Sequence, residues 1–223
     1  MTDTGPRGTP ARGRFITVEG IEGVGKTTSL EFIRAHLAAA GHDVLVTREP
    51  GGTPTAERLR EVLLESAEPI GPQAELLLMF AARSLHVDNV IRPAVEAGRW
   101  VLCDRFTDAT RAYQGAGRGL DVAWIERLAD AVHAGLDPDL TLWLDAPVEI
   151  ALRRADQRRS GEADRFERER ETFFERVREG YRELAMRWPD RVRRVDAAVP
   201  VEDVRRAIAV ILDEALPGKY KKN

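Results

Sequence analysis

Eight consecutive residues, Gly20-Ile21-Glu22-Gly23-Val24-Gly25-Lys26-Thr27, fit the spacing G-x-x-x-x-G-K-[ST]. Glycines at these positions let successive backbone N–H groups turn inward to face phosphate oxygens, and a following helix adds unpaired amides and the positive end of its dipole. In such a loop Lys26 reaches the β- and γ-phosphates of a nucleoside triphosphate, and the Thr27 hydroxyl ligates Mg²⁺. The variable positions of the loop hold no arginine. Phosphoryl transfer needs cations over the moving charge, so they must come from elsewhere. Arg153, Arg154, Arg158 and Arg159 cluster where a helical pattern breaks into a polar, glycine-containing stretch. A run of this kind is ordinarily a solvated face; a lid of arginines there would supply the cation and exclude water. Arg153 and Arg158 are the preferred pair.

These residues need a scaffold that brings them together. Residues 15–19 form a short apolar run with β-branched members that ends in the glycines, and helical spacing follows over 27–40, a buried strand feeding a turn and then a helix. Further strands are predicted at 43–47, 100–104, 140–145 and 192–196. Helices are predicted at 54–65, 72–97 (long and bent), 121–134, 147–156, 165–187 and 201–216. Alternating strands and helices imply an α/β fold with a mostly parallel sheet covered on both faces. In such sheets ligands bind beyond the carboxyl ends of the strands. Arg48 follows the second strand and Asp104-Arg105 the third, so both arginines emerge where the phosphate loop lies. A planar guanidinium matches phosphate bidentately, and Asp104 would orient Arg105 or bind the water shell of Mg²⁺. No linker or repeat interrupts residues 14–216, which read as one domain with a lid at about 153–165. Residues 1–13, rich in Gly, Pro, Thr and Arg, read as a disordered leader, and 217–223 as a flexible tail.

Composition narrows the partners. The 223 residues carry 34 basic and 37 acidic side chains, a net charge of −3, which argues against a nucleic-acid polyanion. The single cysteine, Cys103, lies in an apolar run and reads as a small buried hydrophobe. It allows no intrachain disulfide and suits a reducing cytoplasm. No stretch approaches the length of a membrane span. The histidines are scattered and suggest no general base.

The loop alone does not separate kinases from GTPases or ATPase motors. No guanine-reading Asn/Thr-Lys-x-Asp element is present, and a motor usually brings further domains. Arginines at two strand ends suit a phosphorylated acceptor; a phosphate-free acceptor would leave Arg48 and Arg105 without a partner. A regulatory nucleotide switch and another nucleoside monophosphate kinase are the rival readings. Several ordered motifs then resemble those of bacterial thymidylate kinases. They are the loop from Glu19 to Thr28, Thr47-Arg48-Glu49-Pro50-Gly51-Gly52-Thr53, Asp104-Arg105-Phe106, Ala112-Tyr113-Gln114-Gly115-Ala116-Gly117-Arg118-Gly119, and Asp164-Arg165-Phe166-Glu167.

The resemblance implies transfer of phosphate from ATP to dTMP with Mg²⁺, on a three-layer P-loop kinase fold with a five-stranded parallel sheet and a short mobile lid. It also implies a homodimer. By resemblance Arg105 holds the acceptor phosphate and Arg48 lies near it, while Glu22 bonds the deoxyribose 3′-hydroxyl or the metal's water shell. Arg83 bonds a thymine carbonyl, Thr110 and Gln114 flank the base pocket, and Tyr113 fills the space of a ribose 2′-hydroxyl. The family's stacking aromatic stands four residues before that arginine, where this chain has Met79; Phe80 is adjacent, and either could cover the base.

Overall fold

The computed structural model describes residues 12–157 and 167–215. Its five strands are β1 (Phe15–Glu19), β2 (Val44–Arg48), β3 (Trp100–Asp104), β4 (Leu140–Asp145) and β5 (Val192–Asp196). They form one parallel sheet in the order β2-β3-β1-β4-β5. The predicted strands are all present, with β2 displaced by one residue. Arg48 pairs with Asp104, and the Glu49 amide continues the ladder to the Asp104 carbonyl at 2.9 Å. This register matters for the site. Val18 and Arg48 both lie beside Asp104, so the chain leaves β1, β2 and β3 at one level of the sheet edge.

Helices are α1 (Lys26–Ala39), α2 (Pro54–Glu65), α3 (Pro72–His86), α4 (Arg92–Glu96), α5 (Thr107–Thr110), α6 (Val122–His133), α7 (Val148–Asp156), α8 (Glu167–Arg187) and α9 (Val201–Ala215). Alternation along the strands sends side chains to opposite faces of the sheet. Ile16, Val18 and Leu102 join α1, α8 and α9 in one apolar cluster. Phe15, Val101 and Cys103 join Val87, Ile91, Ala94 and Val95 in another. The expected long helix over 72–97 is continuous but widens into a π-helical segment at Val87–Ile91, which re-aims its second half.

Residues 107–117 carry no predicted element because Gly115 and Gly117 break the helical pattern, yet they form α5 and a π-helical segment at Arg111–Gly117. Tertiary packing overrides propensity here. α8 crosses this segment closely, and a Cβ on Gly180 would lie 2.7 Å from Ala116 Cβ and 3.2 Å from Ala112 Cα. Small residues on both elements permit the crossing, which brings α8 over the site. Among the described residues no helix is long and apolar enough to cross a membrane.

Candidate active site

The phosphate loop connects β1 to α1 as its residue types require. Gly23 has φ 83°, and a Cβ there would lie 1.8 Å from the Ala151 carbonyl oxygen of α7. Only glycine lets the loop take this turn against that helix. Lys26 folds back over the loop and donates to the carbonyls of Gly20 (3.3 Å) and Ile21 (3.0 Å). Burial, reinforced by the positive charge of Arg105, pushes the Lys26 ammonium down to about 7. A lysine disfavoured by a neighbouring arginine in this way is relieved when an anion binds between them.

Arg105 leaves the end of β3 with φ 69°, the one non-glycine residue with positive φ among those described. An outlier of this kind persists only where its surroundings over-determine it. Its Nη2 donates to the Tyr113 hydroxyl (2.9 Å) and Nη1 to the Tyr181 hydroxyl (3.4 Å), with the guanidinium carbon 4.6 Å from the Tyr113 ring centre. Burial opposes its charge, but Tyr113, Tyr181, Glu19 and Asp104 outweigh it and raise the guanidinium above its ordinary value. It stays cationic.

Beside it opens a cavity of about 310 Å³ lined by Arg105, Tyr113, Gln114, Met79, Arg60 and Glu75 among others. The end of Gln114 is fixed: its Nε2 donates to Glu75 Oε1 (2.7 Å), and Arg118 grips both oxygens of the same carboxylate. Because a carboxylate only accepts, the Gln114 amide must turn its NH₂ toward Glu75, leaving its carbonyl oxygen buried and unpartnered.

Arg83 lies beneath this cavity, 1% exposed. Its Nε donates to Glu49 Oε2 (2.7 Å) and its Nη2 to Thr110 Oγ1 (3.0 Å), while Nη1 has no partner. His86 bridges the other Glu49 oxygen (3.0 Å) and Thr47 Oγ1 (2.7 Å). Burial alone would raise the Glu49 carboxyl, but Arg83 and His86 hold it below its ordinary value. Phe80 is 2% exposed and supports Arg83, its ring centre 4.8 Å from the guanidinium carbon, whereas Met79 stands on the cavity wall.

Arg48 is half-exposed and ion-paired with Glu57 (2.9 Å). It lines a neighbouring groove with Thr27 and Asp104. The basic side chain of α2 on the cavity wall is Arg60, which donates to the Pro50 carbonyl (3.0 Å). Nothing in the sequence separates it from other helical arginines. Asp104 Oδ1 is buried with no hydrogen-bond partner, so the Thr27–Asp104 groove offers an oxygen pair that fits Mg²⁺ completed by phosphate oxygens and water.

Of the lid arginines, Arg153 is exposed and paired with Glu149 (2.6 Å), while Arg154 donates to the Ala197 carbonyl (2.7 Å). Arg158, Arg159 and the predicted junction Asp164-Arg165-Phe166 lie outside the described residues. Sequence reasoning passed over Arg170 on α8, whose Nη1 donates to Asp156 (2.9 Å) and whose Nη2 lies 3.7 Å from Glu22. Its signal was lost in a helix dense with charge.

Residues 18–208 match the family model described as thymidylate kinase. A thymidylate kinase of Alkalilimnicola ehrlichii is 58% identical over 207 residues, covering 92% of this chain and 93% of that protein. A thymidylate kinase of Methylococcus capsulatus is 54% identical, with 92% and 98% covered. The fold agrees with the crystal structure of thymidylate kinase from Ehrlichia chaffeensis, with a TM-score of 0.75 at 32% identity over 92% of this chain and 99% of that one. Likeness over nearly the whole length, in the family model, in relatives more than half identical and in a solved structure, places the chain in the thymidylate kinase family.

Proposed function

We propose that this protein phosphorylates dTMP to dTDP with ATP by direct in-line transfer, and that Thr27 and Asp104 would hold the Mg²⁺ that accompanies ATP. The observation that carries this reading is the pairing of two basic side chains, Lys26 folded over the phosphate loop and Arg105 at the wall of the acceptor cavity, close enough that Arg105 lowers Lys26. Each would take one of the two phosphate groups that must meet. The residues of the loop, Gly20 to Thr28, hold the donor. Arg105, aided by Arg48 and Arg60, holds the acceptor phosphate. An anionic phosphate oxygen is already a nucleophile, so the protein needs no general base; positioning and charge stabilisation carry the catalysis. Mg²⁺ supplies charge neutralisation at the transferring phosphate.

Recognition of the base follows from donors and acceptors. Arg83 Nη1 offers a proton toward the thymine carbonyl, and Gln114 and Thr110 offer oxygens to its N3–H. Met79 covers the ring, and Phe80 acts from below by supporting Arg83. Tyr113, fixed by Arg105, fills the space of a 2′-hydroxyl. Glu22 meets the 3′-hydroxyl or the metal's water shell. Arg153 and, outside the described residues, Arg158 are the proposed lid cations for the transferring phosphoryl group, with Arg170 beside Glu22 as a further cation from α8. The protein works in the cytoplasm as a homodimer, a reading supported by family membership and by exposed Val62, Leu64 and Leu77 on α2 and α3.

The test is ADP release with dTMP, dUMP, dCMP, dGMP and AMP as separate acceptors. Turnover with dTMP well above the others is expected; dTMP turnover no greater than with ATP alone would remove the assignment.

The lowered Lys26 value makes a further prediction. Bound phosphates restore the lysine's proton, so ATP binding at about pH 8 takes up protons. Calorimetric titrations in two buffers of different ionisation enthalpy read this uptake directly, and equal heats in both would contradict it. Without ligand, the folded state holds fewer protons on Lys26 than the unfolded chain between about 7 and the ordinary 10.5, so this group's contribution to stability rises with pH across that window.

A further inference from the structure

One carboxylate outside the predicted site holds both ends of Arg105. Glu19 ends β1 and is fully buried. Its Oε1 accepts from the backbone N–H of Phe106 (2.7 Å), the residue after Arg105. Its Oε2 accepts from the Tyr181 hydroxyl (2.7 Å), which in turn accepts from Arg105 Nη1 (3.4 Å). The second arm of the guanidinium is tied to Tyr113. The backbone of Arg105 takes its positive φ between two further bonds, from its own N–H to the Val18 carbonyl (3.1 Å) and from Cys103 Sγ to its carbonyl (3.0 Å).

We infer that Glu19 is a positioning residue for phosphoryl transfer: it fixes the left-handed backbone and, through Tyr181, the guanidinium of Arg105, and so registers the acceptor arginine against the phosphate loop that begins at the next residue. This rests on the reading of Arg105 as the holder of the acceptor phosphate.

A packing role alone does not account for this residue. Burying a carboxyl group against an amide and a phenol, without a direct ion pair, recovers little of the cost of desolvating it. Burial, followed by the repulsion of Asp108, pushes the Glu19 carboxyl up to about 8 despite the opposing influence of Arg105 and both hydrogen bonds. A residue kept only for stability would do better as an apolar side chain. Moreover, Glu19 adjoins Gly20, so one side chain links the donor loop, the turn after β3 and the helix α8. In-line transfer requires donor and acceptor to be held in fixed relation, and Glu19 supplies such a link from the position adjoining the donor loop.

The variants are measured at about pH 9, where a carboxyl titrating at about 8 is ionised. Glu19→Gln preserves volume but turns an NH₂ toward one of two donors, and Tyr181→Phe removes the bridge while preserving the ring. The expected result for Glu19→Gln is a fall in kcat with dTMP of about tenfold to a hundredfold and a severalfold rise in its KM, with the KM for ATP within about twofold and no fall in Tm. Tyr181→Phe should show a smaller loss of the same kind, and the double variant should be no worse than Glu19→Gln alone. The inference is overturned by parental kcat and KM for dTMP in Glu19→Gln, by losses for ATP and dTMP together that track a lowered Tm, or by multiplied losses in the double variant. Should Glu19→Gln fail to fold, Tyr181→Phe decides: parental dTMP kinetics at unchanged Tm also overturns it. Failure of the underlying reading is distinct, because Arg105→Ala would then keep the parental kcat and KM for dTMP.

Discussion

Replacing Arg105 with alanine is expected to lower kcat/KM for dTMP by about 10³-fold while leaving ATP binding intact, the size of effect found when a preorganised cation is removed from phosphoryl transfer. Arg105 is held by two hydroxyls, stacked on Tyr113 and kept cationic by its neighbours, so its charge and direction are set before substrate arrives. Such preorganisation costs no rearrangement during the reaction. Lysine at this position would keep the charge but lose the planar fork, and cannot serve both tyrosines and a phosphate with the same geometry. ATP should behave differently. Arg105 is the main neighbouring charge that depresses Lys26, so Arg105→Ala raises the Lys26 value and makes the proton uptake on ATP binding smaller. Steady-state kinetics with each substrate varied, together with the two-buffer calorimetry, separate these effects. Turnover of dTMP near the parental level would falsify the assigned role.

What the sequence made legible follows the range over which each signal acts. The phosphate loop is local: its backbone turns and the helix behind it are encoded within a few residues, and the structure places them as expected. Arg105 and Asp104 were visible because a buried strand ends just before them, which fixes where they emerge. Glu19 was hidden by the same pattern, since it reads as the last residue of an apolar strand; its role depends on Tyr181, far along the chain. Arg48 and Arg60 show the limit differently. Arg48, at the end of β2, lines the neighbouring groove, whereas Arg60 reaches the cavity wall because of how α2 is rotated about its axis, a rotation set by packing against α3. Gly180 and Gly117 likewise gain meaning only when α8 crosses the π-helical segment. Met79 and Phe80 were indistinguishable until the helix was placed; the polar bonds of Arg83, which Phe80 supports, fix that face inward.

The largest effect on stability is expected at Glu49, through the partner it leaves behind. Glu49 and Arg83 have side chains 2% and 0% exposed, joined at 2.7 Å, and His86 completes the carboxylate's shell. Glu49→Ala removes the anion and leaves a guanidinium in the core with no counter-charge, for which the expected cost is about 3–5 kcal/mol. Most of that is the orphaned charge rather than the worth of the bond. Removing both partners should therefore be milder: Glu49→Ala combined with Arg83→Met, which keeps an apolar filler between Phe80 and Phe106, is expected to be more stable than Glu49→Ala alone. Equilibrium denaturant unfolding of parent, single and double variants measures this, and a double variant less stable than Glu49→Ala would show that the ion pair is not the source of the cost. Function should move oppositely. The double variant has no donor for the thymine carbonyl, so it regains stability but not dTMP affinity, whereas loss of Glu49 alone leaves Arg83 charged but poorly aimed. Stability and recognition thus draw on the same guanidinium through different atoms, Nε toward Glu49 and the unpartnered Nη1 toward the base.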